Sequence, residues 1–229
     1  MSDVHLKPPH GTTSVTQALR LLRKEYGPRE WQAGQDPLSS LVATVLSQNT
    51  SDVNSHRAFA ALVKKFGSWE SVATADVKEL ARTIRAGGLA DIKARRIKLI
   101  LHEIRTERGS LDLCFLNELG LADAKTWLRE LPGVGPKTAG CVLLFSLGRP
   151  AMPVDTHVYR VARRLGLIDA RASVEKAHEI LESLVTPKNV YEFHMLMVEH
   201  GRRTCRAQRP RCTVCVLRDI CPSAQALFA

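Results

Sequence analysis

The chain has 229 residues, enough for one large domain or two small ones around a sizeable core. Hydrophobic residues make up 45% and charged residues 24%, the balance of a soluble globular protein, and no apolar run approaches a membrane span. Lys and Arg number 33 against 23 Asp and Glu, a net charge of +10 that suits a polyanionic partner, nucleic acid first; from charge alone a merely basic enzyme stays open.

Residues 1–16 carry Asp3, His5, Lys7 and two prolines, so they hold no apolar signal-peptide core. The expected location is the cytoplasm, with the nucleoid or nucleus as DNA-bearing compartments. Thiols stay reduced there, and clustered cysteines point to metal sooner than to disulfides. Almost every periodic segment then reads as helix. Leu19, Leu21, Leu22 and Tyr26 follow a possible cap at Ser14 or Thr16. Asp36-Pro37 opens a second helix with Leu41, Val42, Val45 and Leu46 on its apolar face. Ala58, Leu62 and Phe66 mark a third, ending at Gly67, and residues 77–85 a fourth, stopped by Gly87-Gly88. In 91–106, Ile97, Ile100, Leu101 and Ile104 face inward while Lys93, Arg95, Arg96 and Lys98 are expected to point elsewhere. Ala124, Trp127, Leu128 and Leu131 keep helical spacing, and 137–147 is apolar nearly all round, as a buried central helix would be. Residues 156–167, 174–184 and 191–201 complete an all-α fold, with a composition shift at 148–153 as the best domain boundary.

Between two of these helices lies Leu131-Pro132-Gly133-Val134-Gly135-Pro136-Lys137-Thr138-Ala139. Two glycines allow a tight turn and close approach of backbone amides, and Pro136 suits the first helical position. A helix start with exposed amides is a ready phosphate site; the plain alternative is an αα-hairpin turn. A lysine in that first turn meets the positive end of the helix dipole, which favours the neutral amine that nucleophilic attack needs. A lysine that only pairs with phosphate fits equally well. Asp155, in Val154-Asp155-Thr156-His157, is a natural N-cap. It could also stabilise an oxocarbenium-like sugar as a base departs, or take part in proton transfers around Lys137.

Cys205, Cys212, Cys215 and Cys221 form a C-x6-C-x2-C-x5-C string. Four thiolates so close together point to a closed metal site, zinc or iron–sulfur, and spacing does not separate the two. Residues 201–221 also carry six arginines against one aspartate, which reads as a phosphate-binding surface around Arg206, Arg209 and Arg211. Cys114 and Cys141 read as inert core residues.

Taken together, the hairpin string, the Val154–His157 motif, His200-Gly201 leading into Cys205 and the four cysteines resemble the endonuclease III family of helix-hairpin-helix DNA glycosylases, over roughly residues 41–221. The resemblance implies a six-helix barrel domain at 36–150 and a helical domain from both chain ends, 1–35 and 151–229, carrying a [4Fe–4S] cluster, with a cleft between. It gives Lys137 the role of Schiff-base nucleophile and Asp155 that of catalytic carboxylate. Related adenine glycosylases lack that lysine and carry an added C-terminal domain, so they fit less well. Gly133, Val134, Gly135 and Thr138 would grip phosphate, and Leu89 would be the opposite-strand wedge, with Ala90 where a larger residue is common. Either Gln48 or Asn49 would fill the gap left by the flipped nucleotide; a polar helix end is the simpler reading of both. The implied activity is removal of oxidised pyrimidines from duplex DNA and β-elimination at the resulting or pre-existing abasic sites, by a protein expected to be monomeric. A glycosylase for mismatched thymine or uracil or for oxidised guanine, and a non-catalytic DNA-binding module, remain as alternatives.

Overall fold

A computed structural model of the chain describes residues 14–228. Residues 1–13, which carry most of the stretch read as lacking a secretory leader, lie outside the described residues. Every regular element among the described residues is helical, as an all-α fold requires, and no described helix is long and apolar enough to cross a membrane. The chain divides into two compact units, one of Gln32–Pro153 and one that joins the segment up to Trp31 to the segment from Val154 onward.

Helix α1 (Val15–Tyr26) belongs to the chain-end unit and buries Ala18, Leu19, Leu22 and Tyr26. The other unit opens with α2 (Pro37–Ser47), capped by Asp36, whose side chain accepts from Ser39 N, with Pro37 in the first turn where no amide is missed. Next come α3 (Asp52–Phe66), capped by Ser51, α4 (Trp69–Thr74), capped by Ser68, and α5 (Val77–Thr83), capped by Asp76. Helix α4 has six residues, too short to show a period in the sequence. A 3-10 turn, Arg85–Gly87, leads into α6 (Ala90–Arg108), and α7 (Leu121–Glu130) follows. Leu41, Leu46, Leu62, Leu80, Ile97, Leu101 and Leu128 meet in one core. Truncating one of them to alanine costs about 2–5 kcal/mol.

The cationic stripe of α6 departs from its expected placement. Lys93 is only 2% exposed, and Lys98 sends its ammonium to the carbonyls of Ala73 (2.5 Å) and Ala75 (2.6 Å). The reason is local: a helix end leaves carbonyls without partners, and a long side chain can bury its methylenes while delivering charge to them.

Residues 137–147 are not one regular helix. Helix α8 (Pro136–Cys141) passes into a π turn, Val142–Ser146, whose Val142, Leu143 and Leu144 are buried. The wider π turn adds a residue within the packed segment, and the chain leaves it with Arg149 N bonded to Leu143 O.

The chain-end unit also holds α9 (Thr156–Arg164), α10 (Val174–Leu184), α11 (Val190–Arg203) and α12 (Pro222–Phe228), with α11 packed against both α1 and α9. Helix α1 is fastened to α11 by polar links as well as by apolar burial. Arg23 Nε donates to Glu192 Oε1 at 2.9 Å, Arg29 N reaches the same oxygen at 3.2 Å, and Arg29 pairs with Glu199 at 2.7 Å. The Arg23 hydrogen bond, together with the Arg29 amide and both guanidinium charges, holds the Glu192 carboxyl below its ordinary range against the opposing effect of burial.

Candidate functional site

In the Gln32–Pro153 unit the glycine string folds as a tight turn. Gly133 takes φ +72°, and any Cβ there would overlap the Arg96 guanidinium lying against it. Gly135 is the N-cap of α8, and open space surrounds the position of a Cβ on it, so the first amides of α8 are unobstructed on that side. Lys137 stands half-buried in the first turn, directly after Pro136. Val134 and Thr138, assigned to phosphate contact from the sequence, are 5% and 4% exposed. Their side chains are buried, so a phosphate could meet only their backbone amides.

Two other turns of this unit carry the remaining candidates. Gln48 caps the end of α2; its Oε1 accepts from the Arg96 guanidinium at 2.6 Å and its Nε2 donates to Gly133 O at 3.4 Å. Asn49, next in the chain, is exposed with φ +53°. Leu89 is 51% exposed with φ +48°, an apolar side chain held out at the start of α6. Backbone in this region is unfavourable for residues with a side chain, by about 1–3 kcal/mol each, and persists where the surroundings enforce it.

In the chain-end unit, Asp155 caps α9. Its Oδ1 accepts from His157 N at 2.8 Å and Val158 N at 2.7 Å, so both cap bonds fall on one oxygen. One oxygen holds the helix, and Oδ2 lies outside the cap.

The four cysteines of the C-terminal string are free thiols that line one cavity of about 290 Å³. No three His, Cys, Asp or Glu side chains among the described residues are grouped as ligands of a single metal ion. Cys114, read as a core residue, is exposed, whereas Cys141 is buried. Burial pushes the Cys215 thiol up to about 11. His200, in the cavity wall, is neutral because burial lowers it to about 4; its Nδ1 meets Tyr26 Oη at 3.0 Å and its Nε2 lies 3.6 Å from Cys215 Sγ.

Two arginines of α9 brace the cysteine loop, and neither was singled out in the sequence. Arg160 donates to Cys205 O at 2.9 Å and Gly201 O at 2.8 Å; Arg164 donates to Arg206 O at 2.7 Å and Ala207 O at 3.1 Å. Their i, i+4 spacing, which places both on one face of the helix after Asp155, was the available signal. Gly201 is a glycine for a related reason: a Cβ there would fall 2.8 Å from His157 Cβ. Arg206, Arg209 and Arg211 are exposed, and Arg209 takes φ +50°.

The family model for the HhH-GPD superfamily of base excision DNA repair proteins matches residues 42–187, which include both Lys137 and Asp155. An endonuclease III of Sulfolobus acidocaldarius is 32% identical over 185 residues, 80% of this chain and 80% of its own. The chain belongs to the endonuclease III family of this superfamily. A protein of Arabidopsis thaliana, named only as a candidate DNA glycosylase, is 41% identical over 165 residues; the match takes in 72% of this chain but 56% of that one. Among solved structures, a non-covalent endonuclease III–DNA complex matches with a TM-score of 0.79 at 28% identity, covering 93% of this chain and 96% of that chain.

Proposed function

We propose that this endonuclease III-family DNA glycosylase and AP lyase removes oxidised or ring-saturated pyrimidines from duplex DNA and cuts the strand through a Schiff base on Lys137. The observation that carries the reading is the placement of Lys137: a half-buried amine in the first turn of a helix whose glycine cap leaves its amides open to a phosphate. The damaged nucleotide leaves the stack at a cost of a few kcal/mol, less for a base that pairs poorly. The Lys137 nitrogen then attacks C1′ with its lone pair, the glycosidic bond breaks and the base departs with the bonding electrons. The Asp155 carboxylate balances the positive charge that develops on the sugar. Ring opening leaves an imine between C1′ and Nζ. The imine acidifies the C2′ proton, whose loss expels the 3′ phosphate and severs the strand.

Cys205, Cys212, Cys215 and Cys221 would hold a [4Fe–4S] cluster. The support is the donor set: four sulfurs and no carboxylate line a cavity of about 290 Å³. Zinc would need all four sulfurs at about 2.3 Å from one point. When bound, the cluster supplies a rigid cross-link, fixing a loop on which Arg206, Arg209 and Arg211 face solvent for phosphate contact.

The test is borohydride trapping with duplexes carrying thymine glycol, an abasic site, oxidised guanine, a thymine mismatch or no lesion. The expected result is a covalent adduct on thymine glycol and abasic DNA that disappears in Lys137→Ala. Turnover confined to the mismatch or to oxidised guanine would move the substrate class. Binding of every duplex without an adduct would leave only a DNA-binding module.

A further inference from the structure

The first two turns of α6 reach three separate turns of the Gln32–Pro153 unit. The Lys93 ammonium, 2% exposed as a residue, donates to Leu46 O at 2.7 Å and Gly87 O at 2.7 Å. Leu46 is in the last turn of α2, two residues before Gln48; Gly87 is two residues before Leu89. One helix turn further along, Arg96 lies against Gly133 of the hairpin and donates to Gln48, which itself donates to the Gly133 carbonyl.

Backbone conformation supplies an independent sign of what these bonds hold. Asn49, Leu89 and Arg209 are the non-glycine residues with positive φ among the described residues. Two of these sit at the tips of the turns that Lys93 ties together. Each is exposed, so no packing of its own side chain explains the conformation. A buried ammonium bonded to a carbonyl just behind each tip does explain it, because a charge-assisted bond in a dry site resists the relaxation that strain would drive.

We infer that Lys93 and Arg96 are positioning residues that brace Asn49 and Leu89 for entry into the gap left by an extruded nucleotide, with Gln48 a member of the brace and Asn49 the residue that fills the gap. The inference rests on the base-excising function proposed above. Gln48 has both ends of its amide engaged within the protein. Entering DNA would break a bond to a guanidinium and leave it without that partner, whereas Asn49 has no such bond to give up. Neither cation touches the reacting atoms; both act through the loops.

The experiment compares full-length wild type with Arg96→Ala, Arg96→Lys, Gln48→Ala, Asn49→Ala, the Gln48→Ala/Arg96→Ala double variant and Lys93→Met. Base release is timed on a thymine glycol duplex, extrusion is followed by 2-aminopurine fluorescence opposite the lesion, and strand cleavage is timed on an abasic site in single-stranded DNA, which needs no wedge. The brace predicts that Arg96→Ala slows release and extrusion on the duplex about 10- to 100-fold. Single-strand cleavage stays within about twofold and Arg96→Lys recovers part of the loss. Asn49→Ala has the same signature, and the double variant is no worse than its worse single, as expected when two residues act through one contact. Arg96 is partly exposed, so its variants test the idea even where Lys93→Met does not fold. Equal losses on duplex and single strand, no loss on either, or additive Gln48 and Arg96 effects would overturn the brace while leaving the glycosylase reading intact. A wild-type protein that acts on no lesion and no abasic site would overturn both.

Discussion

The two compact units fasten their loops in different ways. In Gln32–Pro153, α2, α3, α5 and α6 share a continuous apolar core, and the turns at Gln48, Leu89 and Gly133 hang from its rim by bonds to Lys93 and Arg96. The chain-end unit has a cysteine loop with few apolar residues of its own: Leu217 is buried, but Arg206, Arg209, Arg211 and Val214 are exposed. There the backbone is held by Arg160 and Arg164, and the four thiols line a cavity on its inner side. A loop that cannot bury side chains must satisfy its carbonyls with cations or a cross-link, since ordering it costs about 1–2 kcal/mol per residue in backbone entropy alone.

That contrast is open to direct test. The largest effect is expected from Cys215→Ala. It should abolish visible cluster absorption and hydrogen-exchange protection across 201–221, a loss on the scale of metal-coupled folding, about 10 kcal/mol. Amides of α2 and α6 should keep their protection; simultaneous loss in both units would break the comparison. Leu62→Ala should do the reverse, lowering stability by about 2–5 kcal/mol in denaturant titration while the absorption per folded molecule is unchanged.

Arg164→Ala removes donors to two loop carbonyls and should cost about 1–3 kcal/mol. The sharper readout is faster cluster loss to a chelator, with core stability in Gln32–Pro153 untouched. Glu192→Gln should weaken the α1–α11 fastening by about 1–2 kcal/mol near neutral pH. Because the folded Glu192 carboxyl lies below its ordinary value of 4.5, its contribution is present above that value and fades as pH falls through the folded one. Wild type and variant should therefore converge in stability in acid, as urea titrations at pH 7 and below pH 4.5 would reveal. The smallest change is that of Arg209→Ala. It should leave stability alone and reduce the salt slope of duplex binding by about 0.9 if that arginine contacts one phosphate.

The helices and their order were legible because apolar residues at helical spacing, N-caps such as Asp36 and Asp155, and glycine stops act locally. The hairpin with Lys137 and the cysteine string were legible for the same reason: each is a short run whose chemistry depends on neighbours in the chain. Lys93 and Arg96 were not. On a helical wheel they share the stripe of any solvated cation, and their partners include the Leu46 carbonyl 47 residues from Lys93 and a glutamine 48 from Arg96. The burial of the Val134 and Thr138 side chains was hidden by the same limitation, since whether a turn residue faces outward or toward the core depends on what lies beneath the turn.

By itself, then, the sequence determined the helical class, the positions of Lys137 in its hairpin and of the capping aspartate, and the four sulfurs, all of them properties of contiguous segments. Only the tertiary structure decided which cations are buried, that Gln48 is engaged while Asn49 stands free of that bracket, and that the four thiols surround one cavity. Backbone carbonyls carry no sequence identity, so a cation that binds one leaves no trace in the pattern of residues; its partner exists only once distant helix ends are brought together.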